Sequence, residues 1–198
     1  MIDLYKQTIT INKLLQDEQK VKITNKSLYY SYRFFLEYFS KLKKITESEL
    51  VIGINFTYGW MPTMFEFKNF ENLDKVVEIL NKAWKGADLS LDELELMKSC
   101  LNNSIVGSSK LLHFVKPELY PIWDSRVHNY LNEDLKKKAP LYSCQSYIDF
   151  LNFSRYISRE DGFTPIKSSI EKKVGYEMTA VRTVELIMYL NGKGDKLK

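Results

Sequence analysis

Cysteine is scarce. Cys100 and Cys144 are the two in 198 residues, too few and too far apart for a disulfide framework or a zinc site, and two short of the four thiolates that an iron–sulfur cluster takes. Both are expected to be buried or half-buried thiols, and any catalysis is expected to need neither metal nor cofactor. Long apolar runs are lacking as well. No stretch approaches the roughly 18 residues that a membrane-spanning helix needs, and residues 1–13 are too mixed for a secretory signal. A cytoplasmic protein without a membrane partner is therefore expected. Excess charge of one sign is small: 29 Lys and Arg stand against 25 Asp and Glu, a net +4. That is a mild leaning towards polyanions, which by itself identifies no nucleic-acid binder. Internal repeats, low-complexity tracts and long linkers are absent.

What is present is a globular composition, 44% hydrophobic and 27% charged, enough to bury a substantial core. Helical periodicity dominates. Leu28, Tyr32, Phe35, Phe39 and Leu42 recur at steps of four and three, which places them on one stripe of a helix over about 25–44. Tyr29, Tyr32 and Tyr38 fit that stripe and its edges. Thr46 followed by Glu49 has the form of a capping box and opens a helix running towards Pro62. Ile52, Ile54, Phe56 and Tyr58 also alternate as a strand would, and helix is favoured over that alternative.

Further helices are predicted at about 73–84, at 90–102 behind a second capping pair, Ser90 and Glu93, at 143–159 and at 176–190. The breaks are short: Lys85-Gly86-Ala87, 104–109 around Gly107, Lys116-Pro117, 136–140 and 162–165. Lys136-Lys137-Lys138 is expected to be a solvated loop face, and the tail from Gly192 to fray. The fold class is all-α, a single unit of two lobes, one containing 46–135 and the other formed by 1–45 and 140–191.

The informative stretch runs Asn102-Asn103-Ser104-Ile105-Val106-Gly107-Ser108-Ser109-Lys110-Leu111-Leu112-His113-Phe114, and then Pro117-Glu118-Leu119-Tyr120-Pro121-Ile122-Trp123-Asp124-Ser125-Arg126-Val127. Its pattern is helix, tight turn, helix, short connector, helix. Gly107 stands where the chain is expected to bend sharply, with Ser108 or Ser109 capping the helix that begins there. Free amides at such a start suit a phosphate. Lys110 then falls in the first turn, where the positive end of the helix dipole favours the neutral, nucleophilic amine. Asp124, fourteen residues later, follows the rigid, apolar Tyr120-Pro121-Ile122-Trp123 and is placed at a helix start.

Between 104 and 127 this arrangement resembles the helix-hairpin-helix DNA glycosylase superfamily, and by motif the oxidised-guanine glycosylase-lyases. The resemblance implies a compact two-lobed helical bundle, a monomer, acting on duplex DNA that contains a modified base. It would be cytoplasmic, and nucleoid-associated when on DNA. It implies that Lys110 attacks the sugar C1′ and that Asp124 stabilises the positive charge developing there, the two sharing one site. Cleavage of an N-glycosidic bond builds oxocarbenium character that a carboxylate stabilises, and an amine can then form a Schiff base with the opened sugar. The target base must leave the stack, and Tyr58, Trp60 or Trp123 would offer a face to it. Gly107, Ser108, Ser109 and Arg126 are the candidate phosphate contacts.

Plainer assignments stand beside these. Lys110 and Asp124 also suit a salt bridge pinning two helices, in a non-catalytic module that binds nucleic acid or protein. Asp124 suits an N-cap, which is compatible with catalysis. It also suits a monofunctional hydrolase in which it orients water while Lys110 holds phosphate. His113, amid Leu111, Leu112 and Phe114, has the setting of a hydrogen-bonded core residue and is left out of the chemistry. Tyr58-Gly59-Trp60-Met61-Pro62 suits interhelical packing better than a pocket wall.

Overall fold

A computed structural model describes residues 1–24, 26–61, 63–135 and 138–193, with the side chains of 26–29 also outside the description. The expectations for Leu28 and Tyr29 as core side chains, for Pro62, for Lys136-Lys137 and for the tail beyond Lys193 lie outside the described residues. Among those described, the chain forms eleven α-helices and one 3-10 turn, with a single antiparallel bridge, Phe67 to Leu101, as its extended pairing. The all-α class is thus observed. No described helix is long and apolar enough to cross a membrane.

The chain divides into two compact units, Asn25–Tyr120 and Met1–Thr24 with Pro121–Lys198. The division differs from the expected lobes at two places. The helix over 26–40 belongs with the 46–120 segment, and 121–135 belongs with the terminal segments.

The Asn25–Tyr120 unit contains α3 (Lys26–Ser40), α4 (Glu47–Trp60), the 3-10 turn Phe70–Asn72, α5 (Leu73–Trp84), α6 (Leu91–Cys100) and α7 (Ile105–Val115). α4 settles the choice between strand and helix. Its buried residues are Leu50, Gly53, Ile54, Thr57 and Tyr58, a spacing of three and four, whereas Ile52, which an alternating pattern would bury, is 38% exposed. The two capping pairs form as the sequence predicts: the Thr46 backbone N–H donates to Glu49 Oε2 at 2.9 Å, and Ser90 and Glu93 exchange hydrogen bonds across the first turn of α6. α3 stops at Ser40, four residues short of the expected end.

α7 is the axis of this unit, packed against α3, α4, α5 and α6. Nine of its eleven residues are buried, leaving Val106 and Lys110 as its partly open edge. Two asparagines act as peptide mimics around it. Asn81 accepts from Ile45 N–H at 3.0 Å and donates to Ile45 C=O at 2.7 Å. Asn102 does the same for Glu66 N–H and Met64 C=O, both at 2.9 Å. Each satisfies both backbone groups of a segment that has no regular ladder.

The other unit contains α1 (Ile2–Thr8), α2 (Ile11–Lys20), α8 (Ser125–Asn132), α9 (Cys144–Ile157), α10 (Phe163–Val174) and α11 (Ala180–Asn191). Its axis is α11, buried without interruption from Val181 to Met188 and in contact with α2, α8, α9 and α10. α11 starts four residues later than expected, at a cap in which Thr179 accepts from Arg182 N–H at 3.2 Å. The segment 162–165, read as a break, is the start of α10. Gly162 takes φ +89° as its N-cap, and Pro165 falls in the first turn, where it has no intrahelical hydrogen bond to lose.

Candidate active site

The stretch singled out in the sequence spans both units, with the crossing at Tyr120–Pro121. On the Asn25–Tyr120 side it forms a helical hairpin. α6 ends at Cys100; Asn102 and Asn103 take left-handed conformations, φ 55° and 51°; α7 starts at Ile105 behind the N-cap Ser104, whose Oγ accepts from Gly107 N–H at 3.1 Å. The tight turn is therefore built from two asparagines, residues that tolerate this region better than most, and it precedes Gly107.

That start shifts each expected role by a turn. Gly107 lies inside the helix, not at a bend. A Cβ there would fall within the van der Waals envelope of the Tyr58 phenol, with Tyr58 Cζ at 2.8 Å, so glycine is required by the close approach of α4. Ser108 and Ser109 are fully buried and are not caps. Their hydroxyls donate back to Ser104 C=O and Val106 C=O, each at 2.9 Å. Lys110 is the sixth residue of α7 and half-buried. It lies beyond the first turn, within which the influence of a helix terminus falls off.

His113 is a core residue, as the sequence implies. Its Nδ1 is 2.7 Å from Tyr120 C=O and its Nε2 2.6 Å from Tyr32 Oη. A carbonyl only accepts, so Nδ1 carries the proton and Nε2 accepts from the tyrosine. Tyr120 Oη donates to Ala87 C=O at 2.6 Å, so the end of the connector is tied to α7 and to the loop before α6.

On the other side of the crossing, Tyr147 Oη donates to Pro121 C=O at 3.2 Å. Trp123 is fully buried against Phe150 and His128, and its indole N–H donates to Leu141 C=O at 2.7 Å. It is a core plug rather than an available stacking face. Asp124 is the N-cap of α8, its Oδ1 accepting from Arg126 N–H at 3.0 Å. The Arg126 guanidinium lies 5.2 Å from the centre of the Tyr189 ring, within cation–π range.

Tyr189 lies on α11. Burial pushes its hydroxyl up, the negative charges of Asp124 and Glu185 add to that, and the cations of Arg126 and Arg182 work against it. Arg182 and Glu185 are themselves a buried ion pair on α11. The one sequence signal for them is an arginine and a glutamate inside an otherwise apolar helix, a placement that requires pairing.

Of the three candidate aromatics, Tyr58 is buried and donates to Leu101 C=O at 3.3 Å. Burial pushes its phenol up to about 12. Trp60 is half-buried at the end of α4, its ring set against Tyr32 and Phe114. Its buried indole N–H has no hydrogen-bond partner among the described residues. Both cysteines are buried, and burial raises the Cys100 thiol. No three His, Cys, Asp or Glu side chains cluster as a metal site among the described residues. Comparison of the chain with family models, with curated proteins and with solved structures returned no match.

Proposed function

We propose that the protein is a DNA glycosylase that removes a modified base, with Lys110 as nucleophile and Asp124 as the stabilising carboxylate. The observation that carries this is an order of elements: a tight helical hairpin, α6 to α7, a lysine on its second helix, and an aspartate capping the helix that follows the connector. This is the order that the resemblance to the helix-hairpin-helix glycosylases requires. Asp124 is held by its cap hydrogen bond in one orientation, which favours electrostatic stabilisation without reorganisation during the reaction. Arg126 is the phosphate contact in this proposal. Trp60, with its unpartnered indole N–H, is the aromatic best suited to an extruded base.

In the reaction Lys110 Nζ, as the neutral amine, bonds to C1′ while the N-glycosidic bond breaks. The base leaves with the bonding pair and takes up the proton that the attacking nitrogen sheds, and positive charge on the sugar develops under the influence of Asp124. The C1′–O4′ bond then breaks as the nitrogen lone pair forms the C=N bond, O4′ takes a proton from solvent, and the resulting protonated Schiff base is hydrolysed by water or proceeds to strand cleavage.

The test is borohydride trapping on a panel of duplexes carrying single oxidised, alkylated or deaminated bases. A covalent protein–DNA adduct is expected for the wild type and its loss for Lys110→Ala. An adduct that survives the substitution removes Lys110 from this role, and release of no base across the panel overturns the proposal.

A further inference from the structure

α3 carries aromatic residues on two faces, and packing accounts for one of them. Tyr32 and Phe39 are buried and Phe35 is half-buried, stacked on Phe56 and edge-on to Phe114. On the opposite face Tyr30 is 66% and Phe34 47% exposed. Their ring centres are 5.3 Å apart, and the guanidinium of exposed Arg33 lies 5.9 Å from the first ring and 5.6 Å from the second. Tyr30, Arg33, Phe34 and Glu37 follow steps of three and four, so they form one solvent-facing stripe, which Lys41, directly after the helix, extends through its pairing with Glu37. From Tyr30 to Lys41 that stripe is about 16 Å long.

Positive charge is in excess along this segment. Over residues 30–44 the cations are Arg33, Lys41, Lys43 and Lys44, all exposed, and the lone carboxylate is Glu37, already paired with Lys41. Exposed rings cost hydrophobic free energy, and a helix stabilised by its buried face alone does not need them.

We propose that the exposed face of α3, with the segment that follows it to Lys44, binds single-stranded DNA, with unpaired bases stacking on Tyr30, Arg33 and Phe34 and phosphates meeting Arg33, Lys41, Lys43 and Lys44. Rings and guanidinium supply sequence-tolerant stacking surfaces and the lysines supply neutralisation, the two components of single-strand binding sites. A paired duplex has its base faces covered and satisfies only the cationic half. The choice of DNA over RNA rests on the function proposed above; the choice of an unpaired strand rests on the stripe.

The experiment is fluorescence anisotropy of the full chain with a labelled oligothymidylate of about twelve nucleotides, within the span of known single-strand sites. Parallel arms use the matching RNA and the matching duplex, each over a series of salt concentrations. Tyr30→Ala and Phe34→Ala are each expected to weaken binding about fivefold or more, while Phe34→Tyr retains it. Arg33→Ala or Lys41→Ala should lower the salt slope by about 0.7 per cation removed. These residues are exposed, and unchanged circular dichroism and melting verify that the variants are folded.

Affinity unaffected by Tyr30→Ala with Phe34→Ala overturns the inference. So does tighter binding of duplex or RNA, or a stripe whose variants alter only self-association in sedimentation. Base release with no stripe-dependent strand binding sinks this inference alone. Stripe-dependent binding with no base release sinks the glycosylase proposal and leaves this one standing.

Discussion

Replacing Gly107 by alanine tests whether this glycine serves packing or a turn. Gly107 is the third residue of α7 and faces α4, with Tyr58 Cζ 2.8 Å from where a Cβ would stand and the phenol oxygen closer still. Tyr58 has little room to retreat. Its ring is packed on Phe65 at 4.7 Å, its hydroxyl is tied to Leu101 C=O, and it is 4% exposed. Overpacking of this kind costs about 1–3 kcal/mol. Alanine in a helix interior recovers about 1 kcal/mol of propensity over glycine. With a rigid obstacle the clash falls in the upper part of that range, about 2–3 kcal/mol, and a net loss of about 1–2 kcal/mol is expected, or about 5–15 °C of melting temperature for a unit of this size.

Urea melts followed by circular dichroism, on Gly107→Ala alone and in a Tyr58→Phe background, isolate the cause. Removing the phenol oxygen takes away the nearest atom, so the alanine should cost less there, with a coupling of about 0.5 kcal/mol or more. A Gly107→Ala variant as stable as the wild type, or stabilised by the full propensity gain, refutes the packing argument. A loss independent of Tyr58 returns Gly107 to a backbone role.

Three further perturbations follow from the same geometry. Asp124→Asn keeps a side-chain oxygen at the N-cap of α8 and should melt within about 0.5 kcal/mol of the wild type, whereas Asp124→Ala loses about 1 kcal/mol. If Asp124 carries charge stabilisation, base release falls on the order of a hundredfold in both, and full activity in the Asn variant refutes the role. At Asp17, burial opposes ionisation, but hydrogen bonds from Lys20 and Tyr130 and the charges of Lys13 and Lys20 outweigh it and hold the carboxyl below its ordinary value. The folded value lies below the unfolded one, so this stabilisation is complete above about pH 4 and is lost as pH falls further. Asp17→Asn should flatten that acid limb of a stability–pH curve, and an unchanged limb counts against the assignment. His113→Phe removes the bonds to Tyr32 and Tyr120 and should cost about 1–3 kcal/mol in urea unfolding; a change near zero contradicts the network.

Periodicity and capping pairs make most of the helices legible, because they record one face buried and one start satisfied, both local requirements. α5 spans 73–84 as predicted, and both capping boxes form. The errors arise where a local signal has two physical meanings. Ser104, Ser108 and Ser109 are all competent caps, and the choice among them follows from α4 laying Tyr58 against Gly107, a contact between residues 49 positions apart. Gly162 and Pro165 look like breakers, yet a left-handed glycine and a proline in the first turn are also how a helix opens. Tyr189, Arg182 and Glu185 come beside Asp124's helix through the packing of α11 on α8, for which sequence spacing holds no signal.

The position of Lys110 dictates how its chemistry must be tested. It stands with Val106 on the one partly open edge of a helix otherwise enclosed by four others. Its stem is therefore partly packed, which limits its rotamers and favours a fixed aim for the amine. The same packing makes Lys110→Ala ambiguous, since loss of the stem lowers stability as well as chemistry. Lys110→Met keeps the stem and removes the nitrogen. Lys110→Arg keeps the charge and remains protonated, so it cannot form a Schiff base. A lysine that only pairs with a carboxylate or phosphate predicts that Arg restores function and Met does not. A nucleophile predicts that both abolish the borohydride-trapped adduct while the protein melts as the wild type does, and an adduct formed by either variant refutes it.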